Sequence, residues 1–205
     1  MYIPPFNRIE DRQIINEFIH AHGFATVITN NAGKYWASHL PVLLDESDTG
    51  HGTLRSHMAR ANDQWRHFTP DCEVLCIFHG PHSYISPAWY VDQHTVPTWN
   101  YAVVHATGIA TLVDDPTALR KIVEDTTAKY ESPRVQPWKI ALSDDEMDKT
   151  LKAIVGFSIQ ITRIEAKFKL GQNRSKEDQE KMLRELERSP DCSSRELRQF
   201  ILEHR

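Results

Sequence analysis

Residues 78–104 read FHGPHSYISPAWYVDQHTVPTWNYAVV, and in this stretch five tyrosine and tryptophan residues stand among three prolines. Proline cannot donate to a sheet ladder, so the prolines predict corners or sheet edges. Aromatic rings beside hydroxyl, amide and imidazole groups at such corners are typical of a pocket wall for a flat, partly polar ligand. An aromatic loop that only packs the end of a barrel is the alternative, and the residues alone leave both interpretations open.

The composition predicts one domain, or one domain with an appendage, in a reducing compartment. The chain has 205 residues, of which 40% are hydrophobic, and its net charge of −4 does not favour polyanion binding by bulk charge. Three cysteines suit reduced thiols better than a disulfide framework. The first residues carry charges early and lack a signal-peptide core, and no run approaches the roughly 20 apolar residues of a membrane span. We therefore expect a cytoplasmic protein.

The order of predicted elements favours an antiparallel barrel decorated with helices over a Rossmann sheet. Sequence patterns predict strands over residues 24–29, 35–44, 53–57, 73–79, 98–113 and 155–168. They predict helices over residues 11–22, 59–68, 115–130, 143–154, 176–187 and 194–204. Ser143 and Glu146 have the spacing of a capping box. Strands and helices do not alternate strictly, and no G-x-G-x-x-G motif is present.

Two polar clusters precede the aromatic stretch. Residues 55–62 lead from a strand into the predicted helix over 59–68. The N-terminus of a helix has free N–H groups and the positive end of the dipole, so it favours a phosphate. His57, Arg60 and Asn62 would add donors and charge at this position. Residues 38–41 lie on a strand that Pro41 marks as an edge or bulge, where backbone groups can meet a heterocycle edge. The structural alternatives are a solvated helix face and an ordinary strand end.

Two further clusters lie at or after the aromatic stretch. Residues 97–101 alternate polar and aromatic side chains at the entry to a strand. Residues 167–174 carry three cationic side chains and the adjacent amides Gln172 and Asn173, which suit an anion or a ring edge. A solvated basic turn that caps the next helix is the alternative.

Metal and hydrolase chemistry are not expected. Cys76 and His79 are three residues apart on a predicted strand, so their side chains would face opposite sides of the sheet and could not bind one metal ion. Neither H-E-x-x-H, paired C-x-x-C nor G-x-S-x-G occurs in the sequence. We predict no metal site, and the sequence identifies no catalytic residue.

The clusters together resemble the PaiB-like family of FMN-binding split-barrel proteins, often described as negative transcriptional regulators. The matching segments are MYIPPFN, SHLPVLL, HMARANDQW, IFHGPHSYISPAWY, VPTWNYAVVHATG and KFKLGQNR, in the family's order. The resemblance implies a six-stranded antiparallel split β-barrel of the pyridoxamine-phosphate-oxidase-like type, α+β and mostly β, with peripheral helices. It implies FMN at a homodimer interface, an FMN-binding domain over residues 1–170 and a C-terminal helical extension over residues 171–205 that packs on the barrel.

The resemblance also implies roles for the four clusters. His57, Met58 and Arg60, with Asn62, map to the phosphate-binding segment. Strand residues near the isoalloxazine would be Ser38, His39, Leu40 and Pro41. The residues that would close the site, with a contribution from the partner subunit, are Thr98, Trp99, Asn100, Lys169, Gln172, Asn173 and Arg174. Within the aromatic stretch, residues 98–100 remain the predicted flavin contact.

Two functions follow from the resemblance. The first is a repressor that uses FMN as a structural or sensory ligand. The second is an FMN-dependent oxidoreductase acting on a small or conjugated substrate. Direct DNA binding has little support from charge, because residues 167–176 are the only candidate basic patch and no helix-turn-helix signature is found. Haem or another planar ligand in the same groove is a third interpretation.

Overall fold

The computed structural model describes residues 1–91 and 93–204. Strands and α-helices alternate irregularly along the chain. The strands are β1 (Arg8–Ile9), β2 (Phe24–Asn31), β3 (Lys34–Pro41), β4 (Leu43–Asp45), β5 (Thr53–Ala59), β6 (Glu73–Ile85), β7 (Thr98–Val113) and β8 (Ile154–Lys169). The α-helices are α1 (Arg12–Ala21), α2 (Pro116–Glu131), α3 (Asp144–Leu151), α4 (Lys176–Arg188) and α5 (Cys192–Glu203).

The described residues form two compact units. The first unit comprises residues 1–18, 79–104 and 165 onward, and the second comprises residues 19–78 and 105–164. The long strands β6, β7 and β8 contribute residues to both units. The predicted boundary between residues 170 and 171 stays a prediction.

The strands follow the sheet order β3-β2-β6-β7-β8-β5-β4, and each of these strands contributes residues to the second unit. β2 pairs antiparallel with β3 and with β6, and β5 pairs antiparallel with β4 and with β8. β3, at one end of this order, contacts β5 near the other end, so the sheet curls on itself. Leu54, Met58 and Phe157 fill the interior and are almost fully buried. Alternation along β5 therefore turns residues 54, 56 and 58 inward.

In the first unit, one face of the strand ends packs against the C-terminal helices. Phe168 of β8 lies 5.0 Å from Phe200 of α5 between ring centroids, and Phe18 lies 5.1 Å from Phe168. Asn100 and Ser83 meet α4 and α5 on this face. The opposite strand face exposes Tyr84 and Trp99, at 45% and 54% of their surface.

The number of strands corrects one prediction. We predicted six strands, whereas the described residues form an eight-stranded sheet. The predicted strand over 35–44 divides at Val42, because the chain changes partner there: the Val42 N–H still donates to the Gly23 carbonyl at 2.7 Å on the β2 side, whereas Leu43 pairs with Arg55 of β5. Residues 8 and 9 add β1, which pairs with β8.

The aromatic stretch is more regular than its prolines suggested. β6 continues through Pro81, and the non-sheet part between β6 and β7 spans only residues 86–97. Among the described residues, β6 pairs with β2 only over residues 75–77. Pro81 lies outside this range, so its missing backbone N–H removes no hydrogen bond between β6 and β2.

No helix in the described ranges is long and apolar enough to cross a membrane.

Candidate functional site

The predicted site residues fall into two sets, one in each unit. The second unit holds Ser38, His39, Leu40, Pro41, His57, Met58, Arg60 and Asn62. The first unit holds Thr98, Trp99, Asn100, Lys169, Gln172, Asn173 and Arg174.

Within the second unit, β3 and the segment after β5 are joined by side-chain hydrogen bonds. The Asn62 amide Nδ2 donates to Ser38 Oγ at 2.8 Å, and the Ser56 hydroxyl donates to the Pro41 carbonyl at 2.6 Å. β3 ends the sheet order, as Pro41 predicted, and its Trp36 and Pro41 carbonyls accept hydrogen bonds from the Gln64 and Ser56 side chains. His39 is exposed and lies 3.1 Å from Thr26 Oγ1 through Nδ1. The structure therefore brings Asn62 to Ser38, and Ser56 to Pro41.

His57 is the group in this set that lacks a partner. Its Nδ1 atom is buried and has no hydrogen-bond partner among the described residues. Burial lowers the pKa of the imidazole, which favours the neutral ring. The neighbouring Met58 side chain points into the core and is only 2% exposed. A buried nitrogen without a partner fits a ligand that hydrogen-bonds at this position.

The helix predicted over residues 59–68, whose N-terminus was expected to bind phosphate, is wrong, and the phosphate site itself stays a prediction. The predicted helix over 59–68 is a five-residue 3-10 helix, Asp63–His67, capped by the Asn62 side chain. Arg60 precedes it, and its backbone N–H donates to the Ala153 carbonyl at 2.8 Å. Because this hydrogen bond holds Arg60 to the residue that precedes β8, the helix cannot begin at Arg60.

The Arg60 guanidinium is held by backbone carbonyls. Its Nε donates to the Lys152 carbonyl and its Nη2 to the Ile154 carbonyl, each at 2.8 Å. Arg60 and Lys152 also line a cavity of about 350 Å³ together with Asp114 and Asp148. Two carboxylates beside two cations leave this cavity without a net positive charge for a phosphate.

Sequence reasoning missed one cation in the second unit. The Lys129 amine on α2 is buried without a hydrogen-bond partner among the described residues. Lys129 follows the buried Ile122 by seven residues, which places it on the buried side of the helix. That spacing was the available signal, because a lysine in line with apolar positions is unusual unless its amine has a target.

In the first unit, the predicted residues gather at the start of β7. The Lys169 amine donates to Thr98 Oγ1 and, at 2.9 Å, to the Trp99 carbonyl. Burial is the main cause that lowers the pKa of Lys169. Trp99 lines an open cavity of about 420 Å³ together with His79, Gly80, His82, Tyr101, Ala102 and Val103.

Other members of this set are engaged in structural contacts. Asn100 is buried and donates to Met182 Sδ at 3.3 Å. The Gln172 amide donates to the Phe168 carbonyl at 2.6 Å and accepts from the Leu170 N–H at 2.7 Å. Arg174 donates to Thr95 Oγ1 at 2.8 Å and covers the Tyr90 ring. Asn173 is exposed. Trp99, Gln172 and Asn173 are exposed, and of these Trp99 and Asn173 are not held by the hydrogen bonds named above.

Comparison with known proteins assigns the chain to a family. Residues 1–163 match the family described as "Putative FMN-binding domain". The chain belongs to this family. It is 35% identical over 206 residues to the protease synthase and sporulation protein PAI 2 of Bacillus subtilis, covering 98% of this chain and 96% of that protein. An uncharacterized protein of Aspergillus fumigatus is 30% identical over 199 residues, covering 74% of this chain and 76% of its own length.

Solved structures share the fold at low identity. A flavocytochrome from Azotobacter vinelandii superposes with a TM-score of 0.62 at 12% identity, covering 82% of this chain and 72% of that one. An FAD- and haem-binding protein from Mycobacterium smegmatis gives a TM-score of 0.60 at 13% identity, covering 80% and 73%. The predicted split-barrel class and FMN as cofactor are confirmed, and the unpartnered His57 nitrogen fits a bound flavin.

Proposed function

We propose that this FMN-binding protein is a homodimer that holds FMN at its subunit interface and acts as a negative transcriptional regulator. The observation that carries the proposal is the buried Nδ1 of His57, unpartnered among the described residues, on β5, a strand that contacts β3. A flavin has a flat ring, a polar ring edge and a phosphate tail, so it needs donors, acceptors and a cation within one groove. Bound FMN supplies redox chemistry, and the chain supplies its binding and orientation.

The second-unit set forms the main FMN site in this proposal. Backbone groups of residues 38–41 meet the polar edge of the ring, and His57 donates or accepts a hydrogen bond through Nδ1. Asn62 keeps the segment after β5 against β3 through its bond to Ser38. Arg60 adds positive charge from a fixed position, since two carbonyls hold its guanidinium. Leu40 contributes apolar surface, and Met58, whose side chain is buried in the core, contributes backbone.

The first-unit set is supplied by the partner subunit. Trp99 and Tyr84 lie on the strand face that no helix covers in the first unit, and their rings are 6.1 Å apart. Exposed aromatic rings on a sheet face are typical of a protein interface. We infer that a second copy of the chain covers this face, which brings Thr98, Trp99 and Asn173 of that copy to the flavin.

Regulation is supported by the B. subtilis relative, whose name refers to protease synthase and sporulation. The charge distribution limits how DNA would be contacted. The exposed side of α5 carries Glu196 and Glu203 beside Arg195, and the whole chain has a net charge of −4. Within the basic run at residues 167–176, Lys167 is buried and Lys176 is exposed. We therefore propose that DNA is contacted over a small area, through the exposed end of this run, or that repression requires a partner protein.

The experiment for the regulatory role measures binding of the flavin-loaded protein to DNA upstream of its own gene at several salt concentrations. A specific shift that survives physiological salt, with a shallow salt dependence, supports direct repression. Binding that is equal for unrelated DNA at every salt concentration contradicts it.

A further inference from the structure

The cavity of about 350 Å³ in the second unit is large enough for a ligand of its own. It is lined by residues of α2 and α3, by the end of β7 and the start of β8, and by the segment after β5. Sites for small molecules have volumes of roughly 300–1,000 Å³. Of the predicted FMN-binding residues, only Arg60 lines this cavity. The cavity is therefore a candidate for a second ligand, of a class that its walls should reveal.

The inner wall of the cavity is apolar. Leu119 and Leu151 line it and are buried, and Val113 packs against the hydrophobic cluster to which they belong. The half-buried Trp65 adds an indole ring, whose Nε1 donates to the Arg60 carbonyl at 3.0 Å. Because this hydrogen bond fixes the indole, the wall offers a preformed surface to an apolar or aromatic group.

The outer wall carries charges of both signs that do not neutralise one another. Two cations and two carboxylates line the cavity with exposed side chains: Arg60, Lys152, Asp114 and Asp148. Asp148 in α3 and Lys152 at its C-cap are one helical turn apart, a spacing that allows an ion pair. Within the described ranges, however, neither side chain forms an ion pair or a hydrogen bond. Both groups are therefore available to a ligand.

We propose that this cavity binds a free amino acid with an aromatic side chain. The Lys152 amine donates to the carboxylate of the ligand, beside the positive charge of Arg60. Asp148 and Asp114 accept hydrogen bonds from its ammonium, and its ring packs on the apolar inner wall.

The mixture of charges selects this class of ligand. A phosphate or a dicarboxylate would be repelled by the two aspartates, and a diamine by the two cations. A neutral aromatic compound would leave all four charges without a partner. A zwitterion with an apolar body matches both walls, and the proposal goes beyond the flavin site without resting on it.

The test is a calorimetric titration of the full chain with phenylalanine, in excess FMN so that the flavin groove is not open to the probe. Phenethylamine, which lacks the carboxylate, and 3-phenylpropionate, which lacks the ammonium, are titrated in parallel. Phenylalanine is expected to bind saturably, and each analogue about tenfold more weakly, the loss of a hydrogen bond between charged groups.

Two variants assign the charges. Lys152→Met is expected to weaken phenylalanine binding by about tenfold and to leave phenethylamine binding unchanged. Asp148→Asn should weaken phenylalanine binding and leave 3-phenylpropionate binding unchanged. The matched controls are Lys149→Met and Asp145→Asn, since both residues are exposed on α3 and neither lines the cavity.

The crossed pattern of ligands separates binding from a structural role, because a damaged fold would weaken all three compounds together. Absence of saturable phenylalanine binding to the wild type would overturn the proposal. Equal losses for all three ligands in Lys152→Met, or a loss in a control variant as large as in its matched partner, would also overturn it.

Discussion

At the scale of single residues, Asn62 fixes the segment that follows β5. Its Oδ1 accepts from the Gln64 N–H at 3.1 Å, which caps the 3-10 helix, and its Nδ2 donates to Ser38 at 2.8 Å. Asn62→Ala removes both bonds, so we expect the free energy of unfolding to fall by about 1–2 kcal/mol. Urea unfolding measures this loss.

Asn62→Asp is the control for that prediction. The carboxylate keeps the acceptor that caps the helix and can accept the hydroxyl of Ser38, so most of the stability should remain. Equal losses in the Ala and Asp variants would contradict the assignment of the two hydrogen bonds.

The sequence predicted residues whose structural role depends on the strand in which they lie. It did not predict side chains whose hydrogen-bond partners are distant in sequence. Pro41 marked an edge strand, and β3 does end the sheet order. The partners of Arg60 are carbonyls 92 and 94 residues away in sequence, which no local pattern reports. The spacing of Lys129 from Ile122 was a local signal of its burial, but the approach of its amine to Gly23 is distant in sequence and could not be predicted.

At the scale of elements, β7 and β8 approach closely at Gly108. A Cβ on Gly108 would collide with the backbone carbonyl of Gln160, whereas one on Gly156 would meet the Leu119 methyl group Cδ1 at 2.7 Å. Backbone in a sheet cannot move aside, but the end of a leucine side chain can. We expect Gly108→Ala to lower the free energy of unfolding by about 3 kcal/mol or more, and Gly156→Ala by about 1 kcal/mol.

Denaturant unfolding of the two alanine variants checks this pair. Both substitutions replace glycine by alanine in a strand of the second unit, so the change in backbone conformational preference contributes similarly to the free energy of unfolding of each variant. A Gly156→Ala variant that is as unstable as Gly108→Ala would show that the strand spacing is not what limits residue 108.

The elements with strong local patterns were predicted closely. Alternation predicted a strand over 155–168, and β8 spans Ile154–Lys169; Ser143 and Glu146 form the predicted capping box at α3. The helix predicted over 59–68 failed, because the bond from the Arg60 N–H to Ala153 holds that segment to β8. Such competition between a helix and a distant strand is decided by tertiary contacts and cannot be read from local sequence.

At the scale of the whole molecule, the proposed homodimer places the exposed aromatic face of the first unit at the subunit interface. Tyr84→Glu places a charge on that face, so we expect the protein to become monomeric and to bind FMN more weakly. Light scattering gives the molar mass of each variant. Leu202→Glu is the control, since Leu202 is exposed on α5, the helix that packs against the opposite strand face.

A wild-type protein that is already monomeric, or a Tyr84→Glu variant that stays dimeric with unchanged FMN affinity, would contradict the location of the interface. The sequence predicted a dimer only through the family resemblance, because self-association depends on which rings the fold leaves exposed. Trp99 faces solvent while its neighbour Asn100 is buried, and strand alternation alone does not indicate which of the two faces α4 covers.

The central claim is that FMN binds in the groove formed by β3, β5 and the segment after β5. Calorimetric titration of the flavin-free protein with FMN tests it most directly, with His57→Phe measured in parallel. The account predicts saturable binding of one FMN per chain and a loss of affinity of about tenfold in His57→Phe, since the buried Nδ1 hydrogen bond is removed. Absence of saturable binding, or equal affinity in both proteins, would contradict it.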